Sequence, residues 1–263
     1  MNAPGVWRDL PARLISALVM AAVGGVLIWA GGRWFAVLVV VVSAVMLWEL
    51  MRMSAPKRRR GALMLAWLGA GALALVLLLH SPFALVLLLL PGLASFVRPR
   101  LHPVAVAVYA TLLMLSGYGI VALRETAGLT AIFWVLAVVI ASDLAGYFVG
   151  KGVGGPKFWP AISPKKTWSG TAAGWVAAAV VGAAFVLAGQ GTWALVAVSP
   201  LVALAGQMGD IGESWIKRRA GVKDSSHLIP GHGGALDRFD ALTGAVLAVL
   251  ALGLLRLMPV IGG

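Results

Sequence analysis

Long apolar runs alternate with short polar segments along almost the whole chain. A helix needs about 20 apolar residues to cross the roughly 30 Å hydrocarbon core of a bilayer. Nine runs approach this length, and the fourth is the shortest, with Pro82 and Pro91 near its ends. The predicted spans are residues 13–31, 34–51, 62–79, 82–97, 103–123, 130–150, 170–189, 192–212 and 239–258. We therefore expect an all-α, polytopic integral membrane protein with about nine transmembrane helices.

The composition excludes a soluble globular protein. Of the 263 residues, 61% are hydrophobic and 11% are charged, whereas an average soluble domain is about 25% charged. A water-soluble core of this size would leave large apolar patches in contact with solvent. The chain also has no cysteine, so it forms neither a disulfide nor a thiolate metal site.

Basic residues are concentrated in alternate polar segments. The formal net charge is +12, and every Lys and Arg except Arg33, Arg124 and Arg256 lies at the start of the first span or after the second, fourth, sixth or eighth. Since cytoplasmic segments of membrane proteins carry an excess of Lys and Arg, we expect a cytoplasmic N-terminus and an external C-terminus. The basic run 57–60 then indicates an anchor to lipid head groups, and no nucleic-acid partner is expected.

The acidic residues indicate where a functional site lies. The chain has nine Asp and Glu, and most of them fall between residues 143 and 240. Acids inside or beside membrane spans are costly and usually line a site or a pathway. Asp143 lies roughly 12 Å below the cytoplasmic end of the sixth span, where it lines a polar site or bonds to a neighbouring helix. The eighth span carries a polar stripe, Gln207, Asp210, Ser214 and Lys217. This stripe lines a functional site or is the polar end of an amphipathic helix.

The segment after the sixth span contains a second group of polar residues. Ser163 followed by Pro164 is typical of a helix start, with Ser163 as the N-cap. The backbone N–H groups of that first turn, together with Lys165 and Lys166, would form a cradle for phosphate oxygens. An ordinary capped helix with solvated lysines fits the same residues.

The segment after the eighth span is rich in glycine and acidic residues. Glycines on both sides of His232 permit close approach of the backbone to a ligand. Asp237 and Asp240 can face one cation if the segment is helical, and oxygen ligands without cysteine favour Mg²⁺. His227 and His232 alone do not make zinc the expected metal.

The residues of this segment resemble the signature of a known family, the phosphatidate cytidylyltransferases, also called CDP-diacylglycerol synthases. The likeness extends over roughly the C-terminal half of the chain. Ser169 and Ala241 differ from the residues expected at these positions in many members. The matching positions are Ser214-Trp215-Ile216-Lys217-Arg218, Lys223-Asp224, Pro230-Gly231-His232-Gly233-Gly234, Asp237-Arg238 and Asp240.

The resemblance implies that CTP and phosphatidate react to give CDP-diacylglycerol and pyrophosphate, with Mg²⁺ as the cofactor. It further implies a multi-span homodimer in the bacterial cytoplasmic (inner) membrane, with the active site facing the cytoplasm, where CTP is made. We expect one membrane domain over 1–263. Its N-terminal spans, 1–129, face lipid and offer a dimer interface, and 130–263 holds the catalytic helices and cytoplasmic loops.

In this interpretation, the polar residues have distinct expected roles. Asp210 and Asp237 are the principal ligands of one or two cations, one of them Mg²⁺, with Asp240 and Asp224 as second choices. The residues expected to balance the transition-state charge or to hold the lipid phosphate are Lys217, Lys223, Arg218 and Arg238. Those expected to contact the CTP phosphates are Ser163, Lys165, Lys166 and Thr167. Those placed in the site without an assigned role are Asp143, Gln207, Ser214 and His232.

Three alternatives stay open from the sequence. The same chemistry fits a CTP-dependent cytidylyltransferase or kinase that acts on a polyprenyl, phytyl or ether-linked lipid phosphate. Intramembrane acids also mark ion pathways, so an ion-coupled transporter is a second alternative, although its acids would be spread across both leaflets. A membrane scaffold is the third, and it leaves the 214–240 series without an explanation.

Overall fold

The computed structural model describes residues 10–97, 100–229, 231 and 233–262, and for residues 10–14 the backbone alone. Three predictions fall outside the described residues: the positions of the basic residues Arg8 and Arg98, and the placement of His232 in the site. The described chain is mostly α-helical, with one small antiparallel sheet. The predicted all-α class is therefore confirmed.

The helices follow one another with short connections. Two 3-10 helices, Pro82–Leu89 and Ser95–Val97, flank α4, and the strands are β1 (Lys157–Trp159) and β2 (Ser163–Thr167). The α-helices are α1 (Leu10–Ala30), α2 (Gly32–Ser54), α3 (Arg59–Leu79), α4 (Leu90–Ala94), α5 (Pro103–Gly152), α6 (Trp168–Leu187), α7 (Ala194–Arg219) and α8 (Leu236–Leu254).

Five helices in the described part of the chain are long and apolar enough to cross a membrane: α2, α3, α5, α6 and α7. The prediction of a polytopic membrane protein is confirmed, whereas the count of nine spans is not. Two further apolar stretches are not counted among the five: Ile15–Ala30, which is the part of α1 with described side chains, and Pro82–Val97. Helix α8 is not among the five, and its first five positions include the charged residues Asp237, Arg238 and Asp240.

Helix α5 contains two predicted spans, 103–123 and 130–150, with no loop between them. It runs for 50 residues and is interrupted at Gly128, where φ is 76° and ψ is −169°. This φ lies in the region that only glycine adopts without steric cost. Gly128 therefore changes the direction of the chain between two helical segments.

The predicted helix start at Ser163 is wrong. Residues Ser163–Thr167 form β2, which pairs with β1 in the register Lys157 to Thr167 and Trp159 to Ser163. A residue that precedes proline is biased towards extended backbone, which fits Ser163 in a strand. Thr167 is the true N-cap of α6, because its backbone is extended and its hydroxyl oxygen accepts a hydrogen bond from the Gly170 N–H at 3.2 Å.

The chain divides into two compact units, which we call the first unit (Met1–Met114 with Arg219–Phe239) and the second unit (Leu115–Arg218 with Asp240–Gly263). In the first unit, α2 packs against α3 around fully buried side chains such as Leu47 and Leu73. The Arg100 guanidinium donates to the Met51 carbonyl at 2.9 Å and so satisfies a group at the C-terminal end of α2.

In the second unit, glycines bring helices into backbone contact. A Cβ atom at Gly170 of α6 would lie 2.5 Å from the Gly146 carbonyl oxygen of α5. At Gly206 of α7, it would lie 3.0 Å from the Ala241 carbonyl oxygen of α8. Small residues at such contacts allow the close helix approach that is typical of membrane proteins.

We expect Gly170→Ala to lower the thermal unfolding midpoint of the purified protein by a few degrees, because the new methyl group meets backbone that cannot move away. Overpacking of this kind costs about 1–3 kcal/mol. Gly71→Ala in α3 is the matched control, since no described atom lies within 4 Å of its Cβ position. The control should keep or raise the midpoint, because alanine favours a helix. Equal midpoints in the two variants would contradict the close contact.

Candidate functional site

Three carboxylates converge in the second unit. Asp210 and Glu213 lie on α7, Asp240 lies on α8, and their ligand oxygens are all within 4.8 Å of one another. Glu213 is fully buried and Asp240 is 9% exposed. Ionised carboxylates this close repel one another unless a proton or a cation balances their charge.

The close approach of α7 and α8 makes this cluster possible. A Cβ at Gly209 would lie 3.0 Å from the backbone nitrogen of Gly244 and 3.1 Å from its Cα. Any larger side chain would separate the two helices at this level. Gly209 directly precedes Asp210 in the chain, and Asp240 lies one turn before Gly244 on α8. The contact therefore holds both carboxylates at one level of the helix pair.

Two lysines pair with the carboxylate cluster. Lys166 Nζ is 2.5 Å from Asp210 Oδ2, and Lys217 Nζ is 2.5 Å from Glu213 Oε2. Buried charges are tolerated only when they are paired in this way. When all three carboxylates are ionised, however, they outnumber the two lysines, so the cluster retains a negative charge that favours binding of a cation.

Ser214 and Asp143 extend the polar site. The Ser214 hydroxyl donates to Asp210 Oδ1 at 3.2 Å. Asp143 comes from α5 and is exposed, and the charges of Lys166 and Asp210 act on it. The predicted stripe on α7 is thus a single helix face, and it meets residues from α5, β2 and α8.

Gln207 holds three helices together. Its Oε1 accepts from the Trp175 indole N–H at 3.0 Å, and its Nε2 donates to Ser142 Oγ at 3.2 Å and to the Thr171 carbonyl at 3.3 Å. A Cβ at Gly174 would lie 2.7 Å from this Nε2, so only glycine leaves room for the side chain. The amide of Gln207 is therefore committed to packing of α5, α6 and α7.

The β hairpin presents Lys165 to solvent and Lys166 to the carboxylate cluster. Ser163 is half-buried and Lys165 is exposed, while Lys166 also donates to the Gln207 carbonyl at 3.4 Å. Thr167 is 3% exposed, and its hydroxyl caps α6. The hydroxyl of Ser169 donates to the Gly154 carbonyl and lies 3.0 Å from the Thr167 hydroxyl.

Asp237 lies in the first unit, where the loop before α8 surrounds its side chain. Its Oδ2 accepts from the Ser225 N–H, the Ser225 hydroxyl and the Gly234 N–H, each at 2.8 Å. A Cβ at Gly233 would lie 3.0 Å from this oxygen and 3.7 Å from the Cβ of Asp224. The remaining charged residues expected in the site are exposed: Arg218, Lys223, Asp224 and Arg238.

Sequence reasoning missed two buried acids. Glu213 was left out because it lies beside the stripe rather than on it, yet it is fully buried and completes the carboxylate cluster. Glu49 lies in α2, is also fully buried, and accepts hydrogen bonds from Ser225 and Ser226. A signal was available for Glu49, because an acid inside a predicted span is by default a candidate functional residue.

Comparisons with known proteins agree with one another. Residues 11–255 match the model of the cytidylyltransferase family. A Brucella suis protein named phosphatidate cytidylyltransferase is 35% identical over 260 residues, which cover 95% of this chain and 96% of the relative. A Bacillus subtilis protein of the same name is 32% identical over 266 residues, covering 89% and 93%. A Helicobacter pylori protein of that name is 44% identical over 128 residues, covering 48% and 47%.

We expect Gln207→Leu to lower the thermal unfolding midpoint of the purified protein by several degrees. The substitution leaves the Trp175 indole N–H without its acceptor, and it leaves the Ser142 hydroxyl and the Thr171 carbonyl without their donor. Each orphaned buried group costs about 1–3 kcal/mol. Trp175→Phe, which removes only one of the hydrogen bonds, should have a smaller effect. A midpoint for Gln207→Leu within one degree of wild type would contradict the packing role.

Proposed function

The chain belongs to the cytidylyltransferase family, and from this premise we propose that it transfers the cytidylyl group of CTP to phosphatidate, giving CDP-diacylglycerol and pyrophosphate. The observation that carries the proposal is the cluster of three carboxylates with Lys166 and Lys217. Phosphoryl-type transfer depends on positioning and charge neutralisation, and this cluster supplies paired charges of both signs.

The residues of the cluster suit a hard divalent cation. Asp210, Glu213 and Asp240 offer oxygen donors alone, within 4.8 Å of one another, and when all three are ionised they outnumber the paired lysines. Mg²⁺ prefers carboxylate oxygens together with water and phosphate oxygens. We propose that these three residues hold Mg²⁺, which when bound would neutralise phosphate charge. The further ligand expected from the sequence, Asp237, stays a prediction.

We propose a direct, in-line displacement. A phosphate oxygen of phosphatidate attacks the α-phosphorus of CTP, a new O–P bond forms, and the bond to the β-phosphate oxygen breaks. Pyrophosphate leaves with the electron pair. The attacking oxygen is already an anion at neutral pH, so neither a Ser or Cys nucleophile nor a strong general base is needed.

Individual residues would bind and orient the two phosphate substrates. Lys166 and Lys217 are held by carboxylates and can redirect their N–H donors towards phosphate oxygens. Lys165 is exposed beside Lys166 and is proposed to contact CTP, as is Ser163. Arg218, Lys223 and Arg238 are proposed to balance charge or to hold the lipid phosphate.

We propose that the protein lies in a bacterial inner membrane with its N-terminus and active site towards the cytoplasm. The distribution of Lys and Arg along the sequence supports this orientation. Homodimer formation, which the family resemblance implies, stays a prediction.

A pyrophosphate-release assay with purified protein, CTP, Mg²⁺ and a panel of lipid phosphates tests the proposed reaction. We expect wild-type turnover with phosphatidate to exceed turnover with polyprenyl, phytyl or ether-linked phosphates. Asp210→Asn should lower kcat/KM roughly 100-fold, because it removes a proposed ligand of the cation that would neutralise the transferring phosphates.

Glu125→Gln is the matched control, since Glu125 is an exposed acid of the same unit outside the cluster. It should retain wild-type turnover. A higher turnover with another lipid phosphate would identify that lipid, in place of phosphatidate, as the substrate. Solute flux without pyrophosphate release would instead favour a transporter.

Cation binding can be measured separately from activity. We expect Mn²⁺, used as a paramagnetic substitute for Mg²⁺, to bind the purified wild-type protein in the absence of nucleotide. Asp240→Asn should weaken this binding roughly tenfold or more, because it removes one of the oxygen ligands. Electron paramagnetic resonance of free Mn²⁺ measures the effect. If Asp240→Asn binds Mn²⁺ with unchanged affinity and Asp237→Asn binds it more weakly, the cation site would instead be assigned to Asp237.

A further inference from the structure

The buried carboxylate of Glu49 in α2 is not one of the residues proposed to bind the substrates or the cation. Glu49 is fully buried, as are its sequence neighbours Leu47, Leu50 and Met51. A carboxylate in such apolar surroundings is stable only when hydrogen-bond donors replace the lost water. The identity of those donors therefore indicates what Glu49 does.

Within the described part of the chain, the donors to Glu49 come from the loop before α8 and from the first turn of that helix. Oε1 accepts from the Ser226 hydroxyl at 2.5 Å and from the Ala235 N–H at 3.1 Å. Oε2 accepts from the Ser225 hydroxyl at 3.2 Å and from the Leu236 N–H at 2.7 Å. Each oxygen thus binds one hydroxyl and one backbone amide.

The two amides belong to the N-terminus of α8, which begins at Leu236. The first N–H groups of a helix have no partner within the helix, and its N-terminus carries partial positive charge. Capping residues normally come from the chain just before the helix. Here a carboxylate from a helix almost two hundred positions earlier in the sequence does this, and so attaches the start of α8 to α2.

Ser225 connects Glu49 to Asp237. Its hydroxyl lies 3.2 Å from Glu49 Oε2 and 2.8 Å from Asp237 Oδ2, and its backbone N–H also donates to Asp237. Gly234 lies against Glu49 and Ser225 so closely that a Cβ there would collide with both. One continuous hydrogen-bond network therefore runs from Glu49 through Ser225 to Asp237, and it holds the loop between the two carboxylates.

We propose that Glu49 is a positioning residue for the transfer reaction. It fixes the loop that carries Lys223 and Asp224, and it sets the direction of the Asp237 side chain in the first turn of α8, without itself touching a substrate. This inference rests on the proposed function, because only the expected roles of those loop residues make their position matter for the reaction.

Glu49→Gln is the main test. The amide keeps the size of the side chain, but in either orientation its NH₂ group faces a backbone N–H of the start of α8, which can only donate, so the loop loses its anchor on one side. We expect kcat with CTP and phosphatidate to fall roughly 10- to 100-fold, as displacement of a positioned group does. The KM for CTP should stay within about threefold, since the expected CTP contacts lie on β2 instead.

Three further variants separate positioning from general damage. Ser226→Ala removes one of the donors and leaves the carboxylate, so its kcat should fall by a smaller factor with an unchanged KM for CTP. Glu49→Asp keeps the charge and should recover part of the activity lost in Glu49→Gln. Ser43→Ala alters another buried polar residue of α2, and it should match wild type. Wild-type kcat in Ser226→Ala, or equal losses in Glu49→Asp and Glu49→Gln, would overturn the proposal.

Limited trypsin digestion gives a readout that does not depend on the reaction. The exposed residue Arg219 is a cleavage site at the start of the loop, and the exposed residue Lys223 is one within it. We expect faster cleavage there in Glu49→Gln than in wild type or Ser43→Ala, and equal rates would overturn the proposed anchor. If wild type itself shows no activity with CTP and any lipid phosphate, the proposed function fails, whereas the digestion still tests whether Glu49 holds the loop.

Discussion

The structure depends on the cost of placing charge in apolar surroundings. A carboxylate removed from water needs a countercharge or several hydrogen-bond donors, and without them it destabilises the fold by several kcal/mol, of order 3–5 kcal/mol when a buried pair is broken. Glu213 meets this requirement with Lys217, and Glu49 meets it with the amides of α8 and two serines. Glu49 consequently connects α2 to the start of α8, whereas the pair of Glu213 and Lys217 lies within α7.

The helices and the polar face of α7 could be predicted from the sequence because they follow from local periodicity. The spacing of Gln207, Asp210, Ser214 and Lys217 places them on one face whatever surrounds the helix. The strand at Ser163–Thr167 could not be predicted in this way, because Thr167 competes with Ser163 as the N-cap and β1 offers backbone partners. The preference of Ser163-Pro164 for a helix start therefore predicted the wrong N-cap for α6.

The carboxylate cluster was only partly predictable for a similar reason. Asp210 and Asp240 were expected in the site, but Glu213 lies to one side of the stripe and joins the cluster only because Gly209 and Gly244 let α7 and α8 approach each other. Glu49 shows the limit more clearly. Its acid character was visible in the sequence, whereas its donors lie more than 170 positions away, and no periodic pattern links segments so far apart.

The burial of Glu213 and Lys217 determines how this pair responds to ionic strength. Dissolved salt screens charges that lie in water, with a Debye length of about 8 Å at physiological ionic strength, and reaches enclosed pairs far less. The two side chains are only 0% and 11% exposed. Ionic strength therefore acts mainly on exposed cations, such as Lys165 and Lys223, and leaves the pair of Glu213 and Lys217 intact.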